Sequence, residues 1–329
     1  MDIGIAELVR NAITPYRLNL EPGQRLLIVA DTRTDPLVVQ AFMTAAVTLG
    51  LDATVAISTP LPYHHAPLNP VIVSAMESAD LVHLITSKGA LHSTACHQKQ
   101  LDGKRFLASE EVTAGMLREG AATADYERMN RVGEKIYELW TKGDEVRITS
   151  REGTDLRGTI TGRPSWLCAA KVLENPGVDL YCAAFPDGEV GIAPIEETIE
   201  GVVVWDTSMH QVGLLNEPIR ARVEKGRVVE LTGGREAERL RTYLEQNGDD
   251  ESWIIGETAI GINPNARVTG LVREDKKLEG SVHIALGMNT DTGGTCASRT
   301  HVDGVIRRPT VVIDGTTVVE DGRLTVSAD

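Results

Sequence analysis

At 329 residues the chain exceeds what a single hydrophobic core usually organises, and length alone suggests about two domains. A formal charge of −14 and a pI near 5.1 argue against nucleic acid or an anionic membrane as partner, since both would repel such a surface. A small-molecule or short-peptide substrate is the expected partner. The first residues, 1–7, lack the basic start and apolar core of a secretory signal, and no apolar run approaches the roughly 20 residues of a membrane helix, so the expected location is cytoplasmic.

The first 142 residues read as strand and helix in alternation. Residues 25–31 form a short apolar run ending in a turn, and 36–49 carry a helical pattern closed by Gly50. Residues 53–58, 79–85 and 105–108 supply further strands, which implies a parallel α/β sheet. No Gly-x-Gly-x-x-Gly follows the first strand and no Gly-x-x-x-x-Gly-Lys occurs anywhere, so the dehydrogenase and ATPase readings lack their phosphate-binding loops. Asp31 ends the first strand, a usual ligand-facing place, but Asp there is as often a turn former. Residues 113–140 form one long amphipathic stretch.

After residue 142 the pattern changes to period two. Residues 145–150 and 155–161 alternate around Glu152-Gly153 as a hairpin, and strands are expected at 201–205, 219–223 and 227–231, with a helix at 235–247. The expected architecture is therefore an N-terminal parallel-sheet α/β domain, residues 1–142, followed by a mostly β metal-binding domain, residues 143–329.

Two short pieces of the second domain carry the chemistry. His301 and Asp303, at i and i+2 of a strand, face the same side, and His283 lies in a similar run separated from them by a loop rich in Gly, Thr, Asp and Asn. Two imidazoles and a carboxylate suffice for a divalent transition-metal site. The spacing fits equally well a buried core histidine at 283 and a turn residue at Asp303. Glu257 stands among Ile254, Ile255, Ala259 and Ile260, where a lone carboxylate needs a metal ion or an arginine. Cys96, Cys168, Cys182 and Cys296 form no Cys-x-x-Cys pair; Cys296 lies in the loop between the two histidines, though a free cysteine there is usually a packing residue.

Four ordered segments, Phe185-Pro186-Asp187-Gly188-Glu189-Val190, Gly256-Glu257-Thr258-Ala259-Ile260-Gly261, residues 282–287 and His301-Val302-Asp303, resemble the thermophilic aminopeptidase family, which includes aminopeptidases T and S. The resemblance implies a homodimeric two-metal hydrolase that cleaves a peptide or amide bond, with Glu189, Glu257, His283, His301 and Asp303 as ligands of Zn, Co or Mn. A carboxylate beside such a centre, Glu196 or Glu197, would serve as catalytic base, or the pair is an exposed surface run. Arg299 would bind a substrate carboxylate, or forms an ordinary salt bridge. His64 and His65, on a Pro-bounded loop, would reach the substrate across a dimer interface, or are plain surface histidines.

Two departures from those peptidases stand out: Thr290 occupies the position of a tyrosine whose phenol is a metal ligand, and the loop between His283 and His301 is shorter. The same superfamily includes the 2,5-dihydroxypyridine ring-cleaving dioxygenases, which use one Fe(II). Their first histidine lies in a Gly-His-Asn-Pro motif, which reads Gly261-Ile262-Asn263-Pro264 here, leaving His283, His301 and Asp303 as an alternative triad.

Overall fold

A computed structural model of the chain describes residues 3–173 and 181–328. It is a mixed α/β protein with one parallel and two antiparallel sheets. Two compact units divide it: residues 3–126 with 168–173 and 181–187, and residues 127–167 with 188–328.

The first unit is built on a parallel sheet in the order Asp52–Ser58, Arg25–Asp31, Leu81–Leu84, Phe106–Ala108, Cys182–Ala184. Its inner strands are largely apolar and buried on both faces, as strands covered by helices must be, with His83 a buried polar exception. Asp35 starts the helix Pro36–Thr48 by accepting the Leu37 N–H, with Pro36 at the first helical position, and Gly50 ends it at φ +70°. Asp31 is a turn former: its carboxylate accepts from the N–H groups of Arg33, Thr34 and Ser87 and from the Ser87 hydroxyl.

The stretch 113–140 is not one helix. Ala114–Arg118 is followed by a 3-10 turn, Gly120–Thr123, and only then by the helix Tyr126–Lys142. Gly120 adopts φ +71°, the left-handed conformation that stops a helix, and the second helix belongs to the second unit from Glu127 on.

The second unit stacks two antiparallel sheets. The larger has eight strands in the order Arg227–Thr232, Ile219–Glu224, Glu200–Trp205, Asp155–Thr159, Glu145–Ser150, Pro309–Ile313, Thr316–Glu320, Arg323–Leu324. The smaller runs Gly213–Leu214, Ser208–Met209, His301–Ile306, Val282–Gly287, Ile255–Gly261, Glu189–Ile192, Ser165–Cys168. Side chains of alternate residues divide the smaller sheet. On one face Ile255, Thr258 and Ile284 meet Val146, Ile148 and Leu156 of the larger sheet. There Gly304 leaves room for Trp205, whose Nε1 donates to the Ile284 carbonyl at 3.1 Å. The opposite face carries the candidate ligands.

Candidate metal centre

Strand register brings the predicted residues together. Across the central strands Gly261 lies opposite Glu189, Ala259 opposite His283, His283 opposite Val305, and Ala285 opposite both Glu257 and Asp303. All of these side chains project from one face. Ala259 and Ala285 sit between the polar residues, so nothing bulky separates Glu257, His283 and Asp303.

The cluster is buried: Glu189 is 5% exposed, Glu257 4%, His283 0% and Asp303 1%, with His301 at its edge. His283 Nε2 is 2.9 Å from Glu257 Oε1 and 3.8 Å from Asp303 Oδ1, and its Nδ1 is 3.6 Å from Glu189 Oε2. His301 Nε2 is 2.9 Å from Asp303 Oδ1, which bears out the same-face geometry expected from the i, i+2 spacing. On its other side His301 Nδ1 meets the Met288 carbonyl at 2.7 Å, the outer-shell hydrogen bond that orients a metal-binding imidazole. One ligand atom each from Glu257, His301 and Asp303 lie within 4.8 Å of one another.

Three residues of the cluster carry no motif and were missed in the sequence. Lys276 Nζ is 2.9 Å from Asp303 Oδ2 and 3.6 Å from Glu189 Oε1, and Lys277 Nζ pairs with Glu189 Oε1. Both follow the short helix Val272–Asp275 in the connection between two site strands, within the charged run Glu274-Asp275-Lys276-Lys277. Gly261 seats this connection, since any side chain there would run into the Lys276 and Leu278 carbonyls. The third is His210, whose Nδ1 accepts from the Asp303 N–H at 3.3 Å and lies 3.4 Å from Asp303 Oδ2.

The charges interlock. Burial alone would raise the Glu189 carboxyl, but the ammonium groups of Lys276 and Lys277 and the His283 ring outweigh it and hold it at about 2. Asp303 is likewise held well below the carboxylate range against burial, by Lys276 and His301. Burial lowers an imidazole, yet Asp303 and Glu257 overcome that and push His301 up to about 10. His210 goes the other way, to about 4, because burial dominates over the pull of Asp303. A neutral His210 that accepts at Nδ1 carries its proton on Nε2.

A divalent cation fits this donor set. Glu257, His301 and Asp303 supply two carboxylates and an imidazole, with one ligand atom from each within 4.8 Å of the others, the oxygen and nitrogen donors that a divalent transition ion takes.

The remaining predicted residues lie elsewhere. Glu196 is buried and fully engaged: Oε1 accepts from Asn289 Nδ2 at 2.9 Å and from the Thr295 N–H at 2.7 Å, and Oε2 pairs with Arg163. It braces the loop between the two histidines instead of standing free as a base. Arg299 is exposed, pairs with Asp249 and donates to the Gly248 carbonyl, so the salt-bridge alternative describes it. Thr290 points to solvent. Cys296 is buried with its Sγ near the Glu251 carbonyl, a packing residue. Ile262 is 1% exposed and packs against Gly133 and Leu167, an apolar setting. His64 and His65 belong to the first unit, where His64 Nδ1 accepts the Gly89 N–H. A cleft of about 850 Å³ lies along the larger sheet beside Arg147, Arg157, Glu200 and Asp314, and none of the cluster lines it.

Stacked antiparallel sheets bearing a buried set of carboxylates and imidazoles, joined to a parallel α/β unit, define a metal-dependent enzyme of the superfamily that unites aminopeptidase T with the 2,5-dihydroxypyridine dioxygenases. Within it, the model of the 2,5-dihydroxypyridine 5,6-dioxygenase family, NicX, matches residues 8–326, and the chain belongs to that family. It is 27% identical over 263 residues to the 2,5-dihydroxypyridine 5,6-dioxygenase of Pseudomonas putida KT2440, a match covering 75% of this chain and 71% of the relative. With aminopeptidase T of Thermus thermophilus it shares 33% identity over 220 residues, which cover 61% of this chain and about half, 52%, of that protein. The solved structure of the P. putida dioxygenase superposes with a TM-score of 0.84 at 22% identity, over 98% of this chain and 97% of that one. AmpT from T. thermophilus gives 0.68 at 20% identity, over 98% and 99%. The family assignment reverses the order expected from the motifs, which put the aminopeptidases first. Four short motifs sample only a few positions, whereas the family match spans residues 8–326.

No helix among the described residues is long and apolar enough to cross a membrane.

Proposed function

We propose that this protein opens a hydroxylated heteroaromatic ring of the 2,5-dihydroxypyridine type with molecular oxygen, using a divalent iron held by residues of the Glu257–His301–Asp303 group. The observation that carries the reading is that group itself, buried on one sheet face, in a chain matched by the dioxygenase family over residues 8–326. Two further features favour it over hydrolysis. The carboxylate expected to act as base, Glu196, is consumed by Arg163, Asn289 and Thr295, and Glu189 and Asp303 are each paired with a lysine.

When bound, iron would supply the redox chemistry that lets oxygen react with an electron-rich ring. The chain's own residues do the rest. His301 must release its proton before Nε2 can bind metal, and Asp303 and Met288 fix its orientation. His210, with its proton on Nε2, would donate a hydrogen bond to a ring oxygen of the substrate.

The second reading, a two-metal amide hydrolase, draws on the convergence of all five predicted donors and on the identity with aminopeptidase T. Oxygen uptake decides between them. Protein reloaded with Fe(II) should consume one O₂ per 2,5-dihydroxypyridine cleaved and be inactive without oxygen. Turnover of amino-acyl anilides under anaerobic conditions with Zn(II), Co(II) or Mn(II), and no oxygen uptake on the pyridine, would replace the proposal with the hydrolase.

A further inference from the structure

Three carboxylates and two ammonium groups meet in the cluster, and Lys276 holds a particular place among them. Its Nζ stands between Asp303 Oδ2, at 2.9 Å, and Glu189 Oε1, at 3.6 Å. A pair of divalent ions 3.5–4 Å apart needs a carboxylate shared between them and separate ligands on either side. Here Glu257, His301 and Asp303 would surround one ion. A second ion would take Asp303 from its other oxygen together with Glu189, and the ammonium group stands between those two carboxylates.

We infer that Lys276 occupies the second cation position and makes the centre mononuclear, a conclusion that rests on the metal reading above. The charge balance agrees. With neutral imidazoles, Glu189, Glu257 and Asp303 against Lys276 and Lys277 leave one net negative charge, which a single divalent ion reverses. Two ions would leave a buried triple positive charge, with one of them pressed against the ammonium. Lys276 cannot swing away at no cost, since its side chain is 15% exposed and its partners are buried acids. Lys276 is a positioning residue in this account, because it sets the number and place of ions without binding one.

The test is stoichiometry, read without any turnover. Full-length protein stripped with a chelator is loaded with Mn(II), and bound metal per chain is measured by equilibrium dialysis and elemental analysis, with electron paramagnetic resonance reporting coupling between ions. One Mn(II) per chain with an uncoupled spectrum is expected for the unmodified protein and for Lys276→Arg. Lys276→Met and Lys276→Gln, which keep the length and lose the charge, should take up a second ion and show a spin-coupled signal. Two ions in the unmodified protein would overturn the inference alone, and so would a single ion in both neutral variants when their circular dichroism is native. No bound metal in the unmodified protein would overturn the metal reading and this inference with it.

Discussion

Gly304 sits one residue from Asp303, in the strand that delivers both His301 and Asp303, and its missing side chain is what allows the two sheets to close. A Cβ at this position would overlap Trp205 Cδ1 and come within 2.5 Å of Trp205 Nε1 and 2.6 Å of Met209 Cε. Trp205 is fully buried and its indole donates to Ile284, so neither the ring nor the strand can yield without loss. Overpacking by one methyl costs about 1–3 kcal/mol. Losing the indole hydrogen bond in a buried setting adds about 1–3 kcal/mol, and the lower chain entropy of Ala returns roughly 0.5–1 kcal/mol. We therefore expect Gly304→Ala to destabilise the protein by roughly 1 to 5.5 kcal/mol, the sum of these terms, centred on about 3 kcal/mol. Equilibrium urea unfolding, followed by tryptophan fluorescence and by circular dichroism, measures it. Gly115→Ala is the control: it lies in a helix with only Thr113 Oγ1 nearby, at 3.6 Å, and should be neutral or stabilising by up to about 1 kcal/mol. A loss below about 1 kcal/mol for Gly304→Ala, with unchanged tryptophan emission, would refute the packing argument.

Three other outcomes are expected. Glu196 is held below the ordinary carboxylate range, against burial, by the Thr295 N–H, Asn289 and Arg163. Its contribution to stability is therefore present above its unfolded value and lost as pH falls through the lower folded one, so Glu196→Gln should lower stability near neutrality and flatten the acid limb of a melting-temperature profile. An unaltered profile would contradict this. Tyr16→Phe removes the hydroxyl that meets the fully buried His83 Nδ1 at 2.8 Å, and should cost about 1–2 kcal/mol in urea unfolding; no measurable loss would mean the network contributes nothing. Alkylation of the native protein at pH 8 should modify the part-exposed Cys168 first, because burial pushes the Cys96 thiol up to about 12 and raises Cys296 as well. Peptide mapping that finds Cys96 labelled before unfolding would show that this part of the first unit opens.

Local sequence was sufficient wherever a neighbour along the chain decides the outcome. The parallel strands from Arg25 onward, the Asp35-Pro36 helix start, the hairpin around Gly153 and the same-face pair His301 and Asp303 all rest on periodicity, caps or turn residues within a few positions. Glu257 was legible because a carboxylate among isoleucines is an anomaly that demands a partner. Register between distant strands decided the rest. It set Glu257 and Asp303 opposite Ala285 and brought Glu189 to the same face from nearly 70 residues away. Lys276 and His210 carry no local signal, because nothing adjacent in the chain marks a lysine or histidine as buried, and only the fold turns them onto Asp303. Glu196 and Arg299 show the converse, since each has the chemistry of a catalytic group and each is claimed by partners that the chain brings in from elsewhere: Arg163 and Asn289 for one, Asp249 for the other. Residue type fixes what a side chain can do, whereas the counter-charge that tertiary packing places beside it decides what it is free to do.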